Sequence, residues 1–170
     1  MIRQLFRQTL TAMPALALIL TSFGGLTLSP AAHAEDEVKV VYHADFADPR
    51  RFSAMLTSIN NMVTFYQNEL IDYDVRIVFV AHGIRFVTDD KLMNTPFQED
   101  PAMAERRANN AGRLDALRSV QGVKLELCDI TRAQIGLGED KLYEGVTQVP
   151  SGVVRIAELQ NEGFAYIKIE

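Results

Sequence analysis

Short β-branched runs alternate with segments of helical period along most of this sequence, and that alternation limits the fold more than any other feature. Val38-Lys39-Val40-Val41-Tyr42-His43 reads as a strand. Asp48-Pro49 then supplies a helix N-cap and a proline at the first helical position. Phe52, Met55, Ile59, Met62 and Tyr66 recur at steps of three and four, and Leu56, Val63 and Leu70 widen the stripe into a broad buried face. Val75 to Ala81 is apolar after Arg76, as a strand covered on both faces should be. An irregular polar stretch, Thr88 to Pro101, reads as a long functional loop. A second helix carries Ala104, Ala108, Ala111, Leu114 and Leu117 and ends near Gly122. Val123 to Cys128 is a third strand, followed by a short helical segment from about Thr131 that Gly136 and Gly138 interrupt. Val146 to Val149 is a fourth strand, Pro150-Ser151-Gly152 opens a helix that Gly163 ends, and Ala165 to Ile169 is the last strand.

Strand and helix in alternation predict an α/β fold: a five-stranded, mostly parallel, flavodoxin-like sheet with helices on both faces, in a single compact domain. Ligands of such sheets bind beyond the carboxyl ends of the strands, so the pattern also says where chemistry should sit.

Ahead of this domain lies a different kind of segment. Arg3 and Arg7 precede an apolar stretch from Leu10, and Ala32-His33-Ala34 forms a small-x-small cleavage pattern. Residues 1–34 therefore read as a cleaved secretory signal peptide and 35–170 as the exported, periplasmic domain. The alternative is an uncleaved anchor, because Leu10 to Leu28 carries no charge; the cleavage pattern and Gly24-Gly25 favour the signal. Cleavage leaves no segment for stable membrane insertion. It also leaves 15 of the 17 basic residues against all 22 acidic ones, a net charge of −7. That balance argues against a nucleic-acid partner, which needs a basic face. With 48% hydrophobic residues the chain is not disordered, and one cysteine excludes an internal disulfide.

His43, His82 and Cys128 end the first three strands, and a parallel sheet sends those ends to one rim. They are the only two histidines and the only cysteine after residue 34. Cys128 stands where a strand meets a helix start, a place that stabilises a thiolate, and Arg132 would add to this if it pointed back. A histidine within reach could take the proton. Asp45, Asp129 and Ser151 lie near the same rim, and Gly83 permits a close backbone approach or a sharp turn after His82. The plain alternatives are a packing thiol at Cys128 and a histidine at 43 that bonds a backbone carbonyl. Two His and one Cys could hold zinc or copper, but spacings of 39 and 46 residues form no local motif, so no metal is expected. No glycine-rich phosphate loop follows any strand, and no Gly-x-Ser-x-Gly elbow occurs. Arg106-Arg107 reads as a solvated helix face.

In order, Val38–Asp45, Ile77–Gly83, Gly122–Cys128, Val149–Val154 and Leu159–Lys168 make the chain resemble the DsrE/DsrF-like family over essentially all of residues 38–170. The resemblance implies a homotrimer or homohexamer. It also implies a strand-end cysteine, here Cys128, that holds sulfur as a persulfide and exchanges it with a sulfur donor or acceptor protein. The expected function is periplasmic sulfur handling, sulfurtransferase-like where it turns over, with no cofactor. His43 and His82 would orient or deprotonate the thiol. The alternative function is a non-catalytic oligomeric module that binds a small ligand or a metal, with Cys128 structural.

Overall fold

The computed structural model describes residues 37–170. The signal-peptide reading of residues 1–34 lies outside that range. Among the described residues no helix is long and apolar enough to cross a membrane.

Five strands form one sheet: β1 (Val38–Ala44), β2 (Tyr73–Phe79), β3 (Lys124–Cys128), β4 (Val146–Val149) and β5 (Ala165–Ile167). Every strand pair is parallel. The helices are α1 (Pro49–Asn68), α2 (Pro101–Ser119), α3 (Asp129–Gln134) and α4 (Gly152–Asn161). Asp48 caps α1 by accepting from the Arg50 amide at 2.7 Å, and Asp100 caps α2 by accepting from Met103 at 2.8 Å; a proline follows each cap.

The fold class is the expected one, and the strand order is β4-β3-β2-β1-β5. Flavodoxin itself has the order 2-1-3-4-5, so the two differ in which strands flank β1. Here the chain steps from β1 to β4 in one direction, then jumps back to place β5 on the far side of β1. Right-handed crossovers therefore put α1 and α2 on one face and α4 alone on the other. The core divides accordingly. Val40, Tyr42, Val75, Ile77, Phe79, Leu125 and Leu127 pack under α1 and α2 with Phe52, Met55, Ile59 and Leu114. Under α4 the cluster is only Val41, Val78, Ile156, Leu159 and Phe164.

The rest of the α4 face is charged and satisfied. Arg76 binds Asp74 at 2.7 Å and Glu126 at 2.8 Å, Lys124 binds Asp74 at 2.8 Å, and Arg155 of α4 reaches Glu126 at 2.9 Å. This network is why β2 carries Arg76 inside an otherwise apolar run.

Three local expectations change. Residues Ala81–Phe86 form a 3-10 turn, and β5 is shorter than the Ala165–Ile169 read from the sequence. Arg107 is not a solvated residue: it binds Glu99 at 2.7 Å and donates to the Thr88 carbonyl. With the buried Arg85, which donates to the Ala47 carbonyl and to Asp100, it ties the 88–101 loop to the body of the domain. Helical periodicity gave no warning, because that loop lies outside the helix Arg107 belongs to.

Candidate functional site

Cys128 ends β3 and stands at the N-cap of α3. Side-chain alternation along β3 puts Leu125 and Leu127 in the larger core and turns Glu126 and Cys128 to the α4 face. The residue is 5% exposed. Burial by itself pushes its thiol up. The amides of Gly152, Thr131 and Ile130 and the Thr131 hydroxyl, gathered around the sulfur, oppose that. They prevail, and the thiol lies below its ordinary range.

Two local features make this cradle. Gly152 is the first residue of α4, and a Cβ there would lie 2.6 Å from Val80 Cγ2 and 3.0 Å from Cys128 Cβ. Only glycine lets the α4 amino terminus descend so far onto the sheet. Thr131 is buried, and its hydroxyl accepts from the Ala81 amide at 3.2 Å. Ala81 itself has φ of 49°, a left-handed conformation uncommon for a residue with a Cβ.

Ser151 caps α4, with its hydroxyl 3.5 Å from the Val154 amide. Asp129 and Arg132 pair with each other at 2.7 Å, and Arg132 also donates to the Leu137 carbonyl at 2.6 Å. Its guanidinium is engaged along α3 and does not turn back on the thiol.

The histidines sit elsewhere. His43 lies level with Val78 of β2, and Leu127 with Phe79. Cys128 is thus two strands across and two residues further along, a Cα separation of about 12 Å. His43 Nδ1 is 3.0 Å from the Tyr166 hydroxyl, and its Nε2 is buried, unpartnered and 3.8 Å from Asp45 Oδ2. Asp45 also binds Lys168 at 2.9 Å. Burial lowers the His43 pKa, Asp45 opposes this, and Lys168 reinforces it. His82, in the 3-10 turn, packs edge-on against Phe97 at 5.1 Å. Gly83 lies against β1: a Cβ there would fall 2.0 Å from the Ala44 carbonyl oxygen.

The rim therefore holds separate groups. One is Cys128 with Ile130, Thr131 and Gly152. Another is His43 with Asp45, Tyr166 and Lys168. His82 joins the Phe97 loop. Sequence reasoning missed Thr131, Gly152, Tyr166 and Lys168. Gly152 was legible as a glycine following the Ser151 cap at a strand's carboxyl end; Tyr166 and Lys168 had no local signal. Among the described residues no group of three or more His, Cys, Asp or Glu is placed to hold a metal ion. Ile130, Val153 and Val154, beside the thiol's donors in the chain, are exposed.

The model of the DsrE/DsrF-like family matches residues 13–169. Among solved structures, a protein of unknown function, MTH1491 from Methanobacterium thermoautotrophicum, is similar at 26% identity and a TM-score of 0.58, over 78% of this chain and 99% of that one. The ychN protein from E. coli is matched at 17% identity and a TM-score of 0.46, over 77% and 98% of the two chains. No curated protein matches the chain.

Proposed function

Since the chain belongs to the DsrE/DsrF-like family, a family linked to sulfur relay, we propose that it carries sulfane sulfur as a persulfide on Cys128. It does so in the periplasm, to which residues 1–34 direct it, as a homotrimer or homohexamer exchanging sulfur with a donor or acceptor protein. The observation that carries this reading is the place of Cys128 at the N-cap of α3 and against Gly152 at the start of α4, where the surrounding amides hold the thiol below its ordinary range. Donors that stabilise a thiolate serve both halves of sulfur exchange. In loading, the Cys128 thiolate attacks the outer sulfur of a donor persulfide. A new S–S bond forms, the donor's S–S bond breaks, and the donor leaves as a thiolate. In unloading, an acceptor thiolate attacks the outer sulfur, and Cys128 departs as the thiolate that Gly152, Thr131 and Ile130 receive. No net oxidant or reductant is consumed, and no cofactor is required.

Neither histidine bonds the thiol, so its proton passes to solvent before the attack, and the donors around the sulfur hold the thiolate that remains. The competing reading, an oligomeric binding module with a structural cysteine, draws on the burial of Cys128. Thiol reactivity separates the two. Under the carrier reading, iodoacetamide labels Cys128 in the folded protein, with a pH midpoint below that of a free cysteine. A thiol that resists labelling until the protein unfolds would favour the structural role.

A further inference from the structure

Strand β5 has three residues at the sheet edge, and only Val40, Val41 and Tyr42 pair with it. Side chains from the end of β1 and the start of α1 hold the same segment. His43 Nδ1 meets the Tyr166 hydroxyl at 3.0 Å, Asp45 binds Lys168 at 2.9 Å, and Arg51 Nε donates to the Ile169 carbonyl. β5 continues directly from α4, which rests on the sheet through the small apolar cluster and the Arg155–Glu126 pair. The first residue of α4, Gly152, packs against Cys128 so closely that a Cβ on it would fall 3.0 Å from the Cys128 Cβ. A short mechanical route therefore runs from His43 through Tyr166, β5 and α4 to the thiol.

The His43 ring is poised to respond to protons. Nδ1 faces Tyr166, and Nε2 is shut off from water with no hydrogen-bond partner. Among the described residues its charged and titratable neighbours are Asp45, from its own strand end, and Tyr166 and Lys168, from the C-terminal segment. α4 contributes none of its hydrogen bonds or ion pairs. A proton on Nε2 of the neutral ring points at Asp45 and leaves Nδ1 to accept from Tyr166. A second proton ends the bond that Nδ1 accepts from Tyr166 and puts a full charge on a half-buried ring, which burial and Lys168 oppose and Asp45 favours. Water reaches that ring when β5 lifts.

We infer that His43 is a positioning residue for Cys128: the neutral ring latches β5 to β1 through Tyr166 and so keeps the α4 amino terminus over the thiol, and protonation releases the latch. The consequence for sulfur rests on the proposed carrier function; the latch itself does not. Burial holds the ring's proton affinity below that of a free histidine, so an opened state protonates first as pH falls. One proton per opening event gives a dependence of up to about tenfold per pH unit, beginning near pH ~6.5 and running down to the lowered value.

Hydrogen exchange on the full chain from pH 5 to 8, corrected for the intrinsic pH dependence, tests this with wild type, His43→Asn and Tyr166→Phe. Asparagine offers an acceptor near the position of Nδ1 and cannot be protonated. In the wild type, protection of residues 152–168 should fall below pH ~6.5 by up to about tenfold per unit, while β2 and β3 hold theirs. His43→Asn should be pH-flat there, and its Cys128 alkylation should lose the extra acid-side decline seen in wild type. Tyr166→Phe should be under-protected in the same segment even at pH 8. The same pH dependence in wild type and His43→Asn, or a loss spread evenly over the sheet, would overturn the latch. Should His43→Asn not fold, Tyr166→Phe decides: wild-type protection of residues 152–168 contradicts the latch, and selective loss supports it. Failure of Cys128 to take up sulfur would leave the exchange result standing, so the two claims fail separately.

Discussion

Gly152 packs against Cys128, with its amide toward the sulfur, across 24 residues of chain, because β4 lies beside β3 and α4 begins where β4 ends. A second set of donors comes from the start of α3, which follows Cys128 directly. The thiol thus lies between two helix starts. No single donor outweighs burial, and the set together does.

The first consequence is a pH-dependent stability. The folded thiol deprotonates below its unfolded value, so between the two values the unfolded chain holds a proton that the folded one has released. Stability relative to Cys128→Ser should rise with pH across that window, stay high above it, and be lost as pH falls through the folded value. Denaturant melts of both proteins at a series of pH values measure the difference. Parallel curves would show that the cradle does not favour the thiolate.

Gly152→Ala tests the close approach. The added methyl would meet Val80 and Cys128, so α4 must shift outward. We expect a loss of about 1–3 kcal/mol in stability and a rise in the thiol midpoint, read by iodoacetamide labelling against pH. A variant with unchanged labelling would mean that the Gly152 amide does not acidify the sulfur.

Thr131→Val removes one donor to sulfur and the acceptor for the Ala81 amide while keeping the side chain's shape. It should cost about 1–3 kcal/mol and raise the thiol midpoint. Thr131→Ser should restore most of both. Equal behaviour of Val and Ser would reduce Thr131 to a packing role.

Glu126→Gln tests how α4 is held. Glu126 bridges Arg76 of β2 and Arg155 of α4, with its side chain 8% exposed. Neutralising it should cost about 1–3 kcal/mol and speed hydrogen exchange in α4 more than in α1. Uniform exchange across both helices would show that the apolar cluster alone anchors α4.

What the sequence revealed follows from the range of the interactions involved. Asp48-Pro49 marked the start of α1 because a cap and a helical proline are local devices. Cys128 was legible for the same reason, as a thiol at a strand-to-helix junction. Val146–Val149 matched β4 to the residue. The flanking of β1 by β5 was not legible, since nothing in Ala165–Ile167 names its neighbour. With that order hidden, His43 looked like a partner for Cys128. The strand between them and the offset in register instead gave it to Tyr166 and Asp45. Gly83 read as a place for a close backbone approach or a sharp turn; it lies in the 3-10 turn, and it is the Ala44 carbonyl that its backbone approaches. The donors to the sulfur were hidden for a related reason: Thr131 is set by the left-handed Ala81 fifty residues earlier.

The carrier function itself is tested most directly by intact mass. The protein, purified without reductant and incubated with polysulfide, is weighed before and after dithiothreitol, beside Cys128→Ser. The account predicts an added sulfur, about 32 Da, that dithiothreitol removes and that the serine variant never acquires. A Cys128 that gains no reducible sulfur under these conditions would contradict it.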